Sequence, residues 1–283
     1  MQNDSLAEFY ATAGPYTEPT VYRERLRRIG ADYERAVSFV ARLIIHPIEA
    51  KRAGVRGNYR SILRDHVFHR TVDDIFQNAS ISNILDEYPD DETPPIDQRA
   101  ILSCDHVALS VISILRLSGL AIRMRAGFAL HIIPDTPVAH WLCERYDRTE
   151  RSWILSDPER KVPVLPPEKW VSGSRAWLLG RAGELDTDQL TMSSRTGNNA
   201  LKFALLADSN CLMKHELLTY DWMITRSGQQ KPPLYSKPYS ALTDEELELL
   251  DSLALGCFSV DVDRNSLTIL WQNIVKPENR RPA

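Results

Sequence analysis

SCDHVALSVISILRLSGLAIRMRAGFA (103–129) is the stretch on which the fold class turns. Between Asp105 and Leu117 the apolar residues Val107, Ala108, Val111, Ile112, Ile114 and Leu115 cover more than one face of a helix. A helix that is apolar nearly all round belongs in a core. Ser118–Gly119 is a stop signal, since glycine adopts the left-handed conformation that ends helices. Three strand-like runs follow, AIRMRAGFAL (121–130), HWLCERYD (140–147) and SWILSD (152–157). The polar RTER (148–151) between the second and third predicts an antiparallel hairpin. One helix followed by antiparallel strands is an α+β pattern rather than an alternating βαβ one.

Upstream, residues 21–46 carry Leu26, Ile29, Tyr33, Val37, Val40 and Ile44 at three- and four-residue steps, which predicts a helix that Pro47 interrupts. A second helical stretch is expected over about 59–85, and YPDDETPPIDQ (88–98), with three prolines and four acidic residues, reads as a loop. Downstream, VPVLPPEKW (162–170) is a proline-rich crossing, followed by expected helices near 174–182, 199–223 and 243–256. Thr243 with Glu246 three residues on is a capping box for the last. PENRRPA (277–283) reads as a frayed tail. The division expected is an extension over 1–20, one domain with helical flanks over 21–258, and a tail over 259–283.

The bulk numbers narrow the function. Of 283 residues, 43% are hydrophobic and 25% charged, the make-up of an ordinary globular chain. A net charge of −4 and a pI of about 6.0 supply no basic field for nucleic acid. The start MQNDSLAEFY lacks the basic and apolar regions of a secretory signal. No apolar run reaches the ~18 residues of a membrane span. A cytoplasmic protein without nucleic-acid or membrane partners is expected. The four cysteines, Cys104, Cys143, Cys211 and Cys257, form no CxxC pair, which argues against a structural zinc or a redox pair.

Cys104 differs from the other three by position. It stands directly before the buried helix, where the positive end of the helix dipole favours thiolate and helix N–H groups can stabilise an oxyanion. His140, 36 residues on, opens the second strand run, and Asp157 closes the third. In a hairpin the start of one strand and the end of the next lie side by side. The carboxylate can then fix the imidazole tautomer, and the imidazole can serve the thiol as base. Singly, each residue has an ordinary explanation. In this order, with a helix and a hairpin where they are needed, they read as a Cys–His–Asp triad.

These segments, SCDHVALSVISILRLSGLAIRMRAGFA with AHWLCERYD (139–147) and SWILSDPE (152–159), resemble the core of the transglutaminase-like superfamily. Its pattern is a cysteine at a helix start, a G-[IVL]-P-[AV]-R-like strand, an H-x-W-x-E strand and a W-x-x-x-D-P strand. Leu120–Arg123, His140, Trp141, Glu144, Trp153, Asp157 and Pro158 fall at the matching places. Further on, Ala176, Trp177, Arg181 and Gly183, then Asp208, Leu212, Lys214, Glu216, Leu218 and Asp221, look like the C-terminal part of a group of bacterial transglutaminase-domain proteins. One departure stands out: Asp105 follows the cysteine at once and His106 takes the second place, where the family often has an acidic residue.

The resemblance implies a papain-like α+β core, a helix bearing the nucleophile packed on an antiparallel sheet, with helices on both flanks. It implies a cysteine acyltransferase, amidase or peptidase acting through an acyl-Cys104 thioester, in a bacterial biosynthetic setting, with no cofactor and no metal requirement. The substrate is then a peptide or small-molecule amide or thioester, free or borne by a carrier protein. Gln98, Trp141 and Trp153 are the candidate substrate contacts. The alternative is a non-catalytic binding module on the same fold. Other groupings are weaker. His66, His69 and Asp73 share one helical face and could seat a metal, but a solvated face is the plainer reading. HELLTY (215–220) lacks the second histidine of a zinc protease, and DVD (261–263) lacks the rest of a calcium loop. Lys214, Glu216 and Asp221 read as an ion-paired set before a pocket wall.

Overall fold

The structure is a computed structural model that describes residues 2–57, 66–216, 218, 233–260 and 263–275. It mixes α-helices with an antiparallel sheet. The chain divides into two compact units, residues 7–123 with 142–165, and residues 1–6 with 124–141 and 166–283. They are called the N-terminal and the C-terminal unit below. The first helix, α1 (Gln2–Tyr10), and two long strands, β3 (Ile122–Ile133) and β4 (Thr136–Asp147), run from one unit into the other.

In the N-terminal unit the helix expected over 21–46 is broken in two, α2 (Arg23–Arg27) and α3 (Tyr33–Leu43). Gly30 at φ +83 ends the first, and Asp32 caps the second by accepting the Arg35 N–H. Side-chain periodicity runs through such a break because both pieces bury the same kind of face. Pro47 does not merely interrupt. It is the first residue of α4 (Pro47–Arg52), where its missing N–H costs nothing, and His46 is the N-cap. Of the stretch expected as helix over 59–85, residues 59–65 lie outside the described residues. The rest is a 3-10 turn at His66–Phe68, then α5 (Val72–Phe76) and α6 (Ala79–Glu87). Thr71 with Asp74 and Asn78 cap these short helices.

The buried helix is as expected. It is α7 (Cys104–Leu117), and every residue from Cys104 to Arg116 is buried. Its two internal serines bond to the preceding turn: Ser110 Oγ donates to the His106 carbonyl and Ser113 Oγ to that of Leu109. Arg116, the one cation within it, donates to the Ile122 carbonyl at 3.0 Å and to Thr17 Oγ1 at 3.0 Å. α7 packs against α2, α3 and α5. Ahead of it, β1 (Ile44–Ile45) and β2 (Ala100–Ile101) pair in parallel, Ile44 opposite Ala100 and Ile45 opposite Ile101. The expected hairpin also forms. β4 pairs antiparallel with β5 (Ser152–Ser156), from Cys143 opposite Ser156 to Asp147 opposite Ser152. The guanidinium of Arg123 lies 4.0 Å over the Trp153 ring and donates to Glu144 at 2.6 Å.

In the C-terminal unit β3 pairs antiparallel with β6 (Trp170–Ser172), Gly127 opposite Ser172. The main sheet has the order β5-β4-β3-β6. α8 (Gly173–Arg181), α9 (Gly197–Leu212), α10 (Asp244–Phe258) and α11 (Arg264–Val275) follow, with two-strand ribbon β7 (Thr191–Met192) and β8 (Arg195–Thr196) between α8 and α9. α8 and α9 approach so closely that a Cβ on Gly173 would lie 2.0 Å from the Ala204 carbonyl oxygen. The Thr243–Glu246 capping box is formed as expected. Of the helix expected over 199–223, residues 217 and 219–223 lie outside the described residues, and α9 ends at Leu212. The stretch expected as a tail over 259–283 contains α11, while 276–283 lies outside the described residues.

Candidate active site

Cys104 is the first residue of α7 and is 7% exposed. The helix start is unusual. Ser103, the N-cap, makes no side-chain cap bond to the helix. Its hydroxyl donates to Asp105 Oδ1 at 2.6 Å and lies 3.0 Å from His106 Nδ1. Asp105 Oδ1 also accepts the His106 N–H, and the carboxylate and the imidazole of His106 stand 2.9 Å apart with neither exposed. Ser103, Asp105 and His106 thus form one hydrogen-bonded network against the first turn, Ser103 half-buried and the other two fully buried. His66 lies on it, its ring 5.1 Å from that of His106, and its Nε2 donates to the Ile101 carbonyl at 2.8 Å. Burial, followed by the His106 ring, holds the His66 imidazole down at about 4.

His46 and Glu159 both approach Cys104 within the N-terminal unit. A ring nitrogen of His46, a carboxylate oxygen of Glu159 and Cys104 Sγ all lie within 4.8 Å of one another. Their convergence follows from the backbone. The parallel register of β1 and β2, extended by the Leu102 N–H to Ile45 carbonyl bond at 3.1 Å, carries His46 level with the residues that lead into Cys104. Glu159 comes from the turn after β5. There Asp157 pairs with Val162, and Asp157 Oδ1 accepts the Arg160 N–H at 3.0 Å. Arg160 ties that turn to α4, 3.3 Å from Glu49 and 3.6 Å from Glu159. His46 is anchored as the α4 cap, its Nδ1 accepting the Ile48 N–H at 3.3 Å.

The residues singled out by the sequence are distributed as follows. Cys104 and Asp157 belong to the N-terminal unit and His140 to the C-terminal unit. Asp157 is fully buried and organises the turn that carries Glu159. His140 lies within β4 rather than at its start, is 2% exposed, and has its ring 6.3 Å from that of His131. The β4–β5 register stops at Cys143 opposite Ser156, short of both His140 and Asp157. Gln98 is exposed and its side-chain oxygen accepts the Tyr88 hydroxyl at 2.8 Å. Trp141 is buried, with its indole N–H unpartnered, and Trp153 is half-buried between Arg123, Tyr10 and Tyr146. His46 and Glu159 were missed. Their only sequence signals are a histidine before proline and the acid two places after Asp157, and neither points to Cys104 without the strand pairing.

The other groupings resolve into structural bonds. Asp73 accepts the Thr20 and Val21 N–H groups, and His69 Nε2 meets Asn78 Nδ2 at 3.0 Å. With His66 on the Ile101 carbonyl, these three residues do not share a metal centre. Trp177 and Arg181 both bind Asp251, at 2.7 and 3.1 Å. Asp208 receives Arg125 through two bonds and Ser174 through its backbone and hydroxyl. Lys214 and Glu216 are buried, and Asp221 lies outside the described residues. Half of HELLTY (217, 219 and 220) and the first two residues of DVD lie there as well. No helix among the described residues is long and apolar enough to cross a membrane. In comparisons with known proteins, no family model, no curated protein and no solved structure matches the chain.

Proposed function

We propose that the chain is a cysteine-dependent acyltransferase or amidase of the transglutaminase-like superfamily, with Cys104 as nucleophile. The observation that carries this reading is the position of the thiol: first residue of a buried fourteen-residue helix, with an imidazole and a carboxylate within 4.8 Å. A thiol there is favoured as thiolate by the helix dipole and by a neighbouring imidazolium.

In the proposed reaction Cys104 Sγ forms a bond to the carbonyl carbon of an amide or thioester. The C–N or C–S bond of the substrate breaks, and the leaving amine or thiol takes a proton from the histidine. Water then hydrolyses the acyl-Cys104 thioester, or an amine takes the acyl group and forms an amide. His140 with Asp157 is the base pair assigned from the sequence pattern. His46 with Glu159 is the pair that stands beside Cys104. Gln98, Trp141 and Trp153 are the proposed substrate contacts. The substrate class is a peptide or small-molecule acyl donor, free or carrier-borne.

The test is iodoacetamide labelling of each cysteine, followed by mass spectrometry between about pH 5 and about 9, in the native chain and in His140→Ala and His46→Ala. Fast labelling of Cys104 alone at low pH, slowed in one variant, supports the reading and identifies the base. A Cys104 that labels like an ordinary thiol, with its midpoint near ~8.5 in all three proteins, removes the nucleophile. It leaves the non-catalytic binding module.

A further inference from the structure

We propose that Cys104, His46 and Glu159 form a binding site for a borderline-soft divalent cation, of which Zn2+ is the natural probe. Among the described residues this is the one place where three metal-ligating side chains offer their ligand atoms within 4.8 Å of one another. The set is one sulfur, one imidazole nitrogen and one carboxylate oxygen. Calcium and magnesium select all-oxygen sites, whereas this mixture suits zinc. Three protein ligands leave the fourth tetrahedral position for water or another ligand.

The geometry demands little. Ligand bonds of about 2.0–2.3 Å in a tetrahedron put ligand atoms about 3.3–3.7 Å apart. The three side chains therefore contract by at most about 1.5 Å from their upper bound. Their backbones are fixed independently: His46 by the β1–β2 pairing, Cys104 by α7, Glu159 by the Asp157–Val162 turn. The thiol is 7% exposed and the Glu159 side chain 9%, so bulk water competes poorly for them.

Two neighbours respond to an ion here. Neutral imidazole has one lone pair on its ring nitrogens, and His46 Nδ1 uses it to accept the Ile48 N–H. Ligation through Nδ1 takes that lone pair directly. Ligation through Nε2 moves the proton to Nδ1. Either way the Ile48 N–H loses its acceptor and the α4 cap is weakened. Arg160 competes with the ion for Glu159, being 3.6 Å from it. Ligation uses Cys104 only as a thiolate, so the site can hold whether or not Cys104 is also a nucleophile.

The experiment is a Zn2+ titration of the full chain, stripped with a chelator, against a chromophoric competitor. Co2+ is then used as a spectroscopic substitute. One Zn2+ per chain is expected, with a thiolate-to-cobalt charge-transfer band for Co2+. Cys104→Ser abolishes that band, and His46→Ala and Glu159→Gln weaken Zn2+ by at least about tenfold. Arg160→Ala tightens it several-fold. The Ile48 amide shifts and exchanges faster when Zn2+ is added. The Co2+ band and the Ile48 amide are read on the native chain, so an unfolded variant does not decide the matter. Failure of Zn2+ to compete, or binding that survives both Cys104→Ser and His46→Ala, overturns the site. Labelling kinetics of the metal-free protein report on the nucleophile separately.

Discussion

Cys143 and Cys257 show what burial does to a thiol in this protein. Desolvation, then the Asp157 carboxylate, pushes Cys143 well above the ordinary thiol range, and desolvation followed by Asp208 does the same to Cys257. Both are therefore expected to label far more slowly than Cys104 at every accessible pH, which makes them internal controls. His66 gives a pH prediction with a definite sign. Its folded value of about 4 lies below the unfolded 6.5. The stability it allows is thus fully present above about 6.5 and is lost as pH falls toward 4. That loss is on the order of 3 kcal/mol. Urea unfolding across this window should show it, and a folded His66→Asn variant should show a flatter profile. An identical slope in both would sink the assignment. Asp208 is the other residue with a large expected effect. Removing it takes two charged hydrogen bonds from a buried Arg125 guanidinium, so Asp208→Ala should cost about 3–5 kcal/mol. A loss below about 1 kcal/mol would place the pair among surface-like ion pairs.

At the scale of elements, the signals that held were local. The apolar run of α7, the Ser118–Gly119 stop and the Thr243 capping box each act within one or two turns of chain, so their readings transferred unchanged. Thr243→Ala should lower stability by about 1 kcal/mol, seen as a shift of the denaturation midpoint without a change of slope. The readings that changed depended on neighbours. Gly30 breaks 21–46 into two helices while the apolar spacing continues across the break. Pro47, read as a stop, is a start, because His46 supplies the cap ahead of it. The α8–α9 contact has no sequence signature beyond a glycine. Gly173→Ala should cost about 1–3 kcal/mol or more, since the added carbon meets backbone rather than a side chain that can yield.

For the whole molecule, each unit is discontinuous in sequence, and three of the four boundaries fall inside α1, β3 and β4. A fragment ending at Arg123 leaves the Ala121 carbonyl without the Tyr146 N–H, and Arg123 without Glu144 and Trp153. Such a fragment is expected to lack the cooperative thermal transition of the full chain. A sharp transition in residues 7–123 alone would refute this.

Composition, charge and local periodicity by themselves determined that this chain folds as a mixture of helices and an antiparallel sheet. They also marked Cys104 as the thiol at the head of a buried helix. Those properties follow from residues close together in the chain, where backbone geometry and side-chain spacing are sufficient. Which groups stand beside that thiol was a tertiary matter. His46 reaches it through a parallel strand pairing between residues more than fifty positions apart. Glu159 reaches it from a turn that Asp157 holds closed. Strand register and turn closure are set by the packing of many side chains at once, and no spacing along the sequence records them.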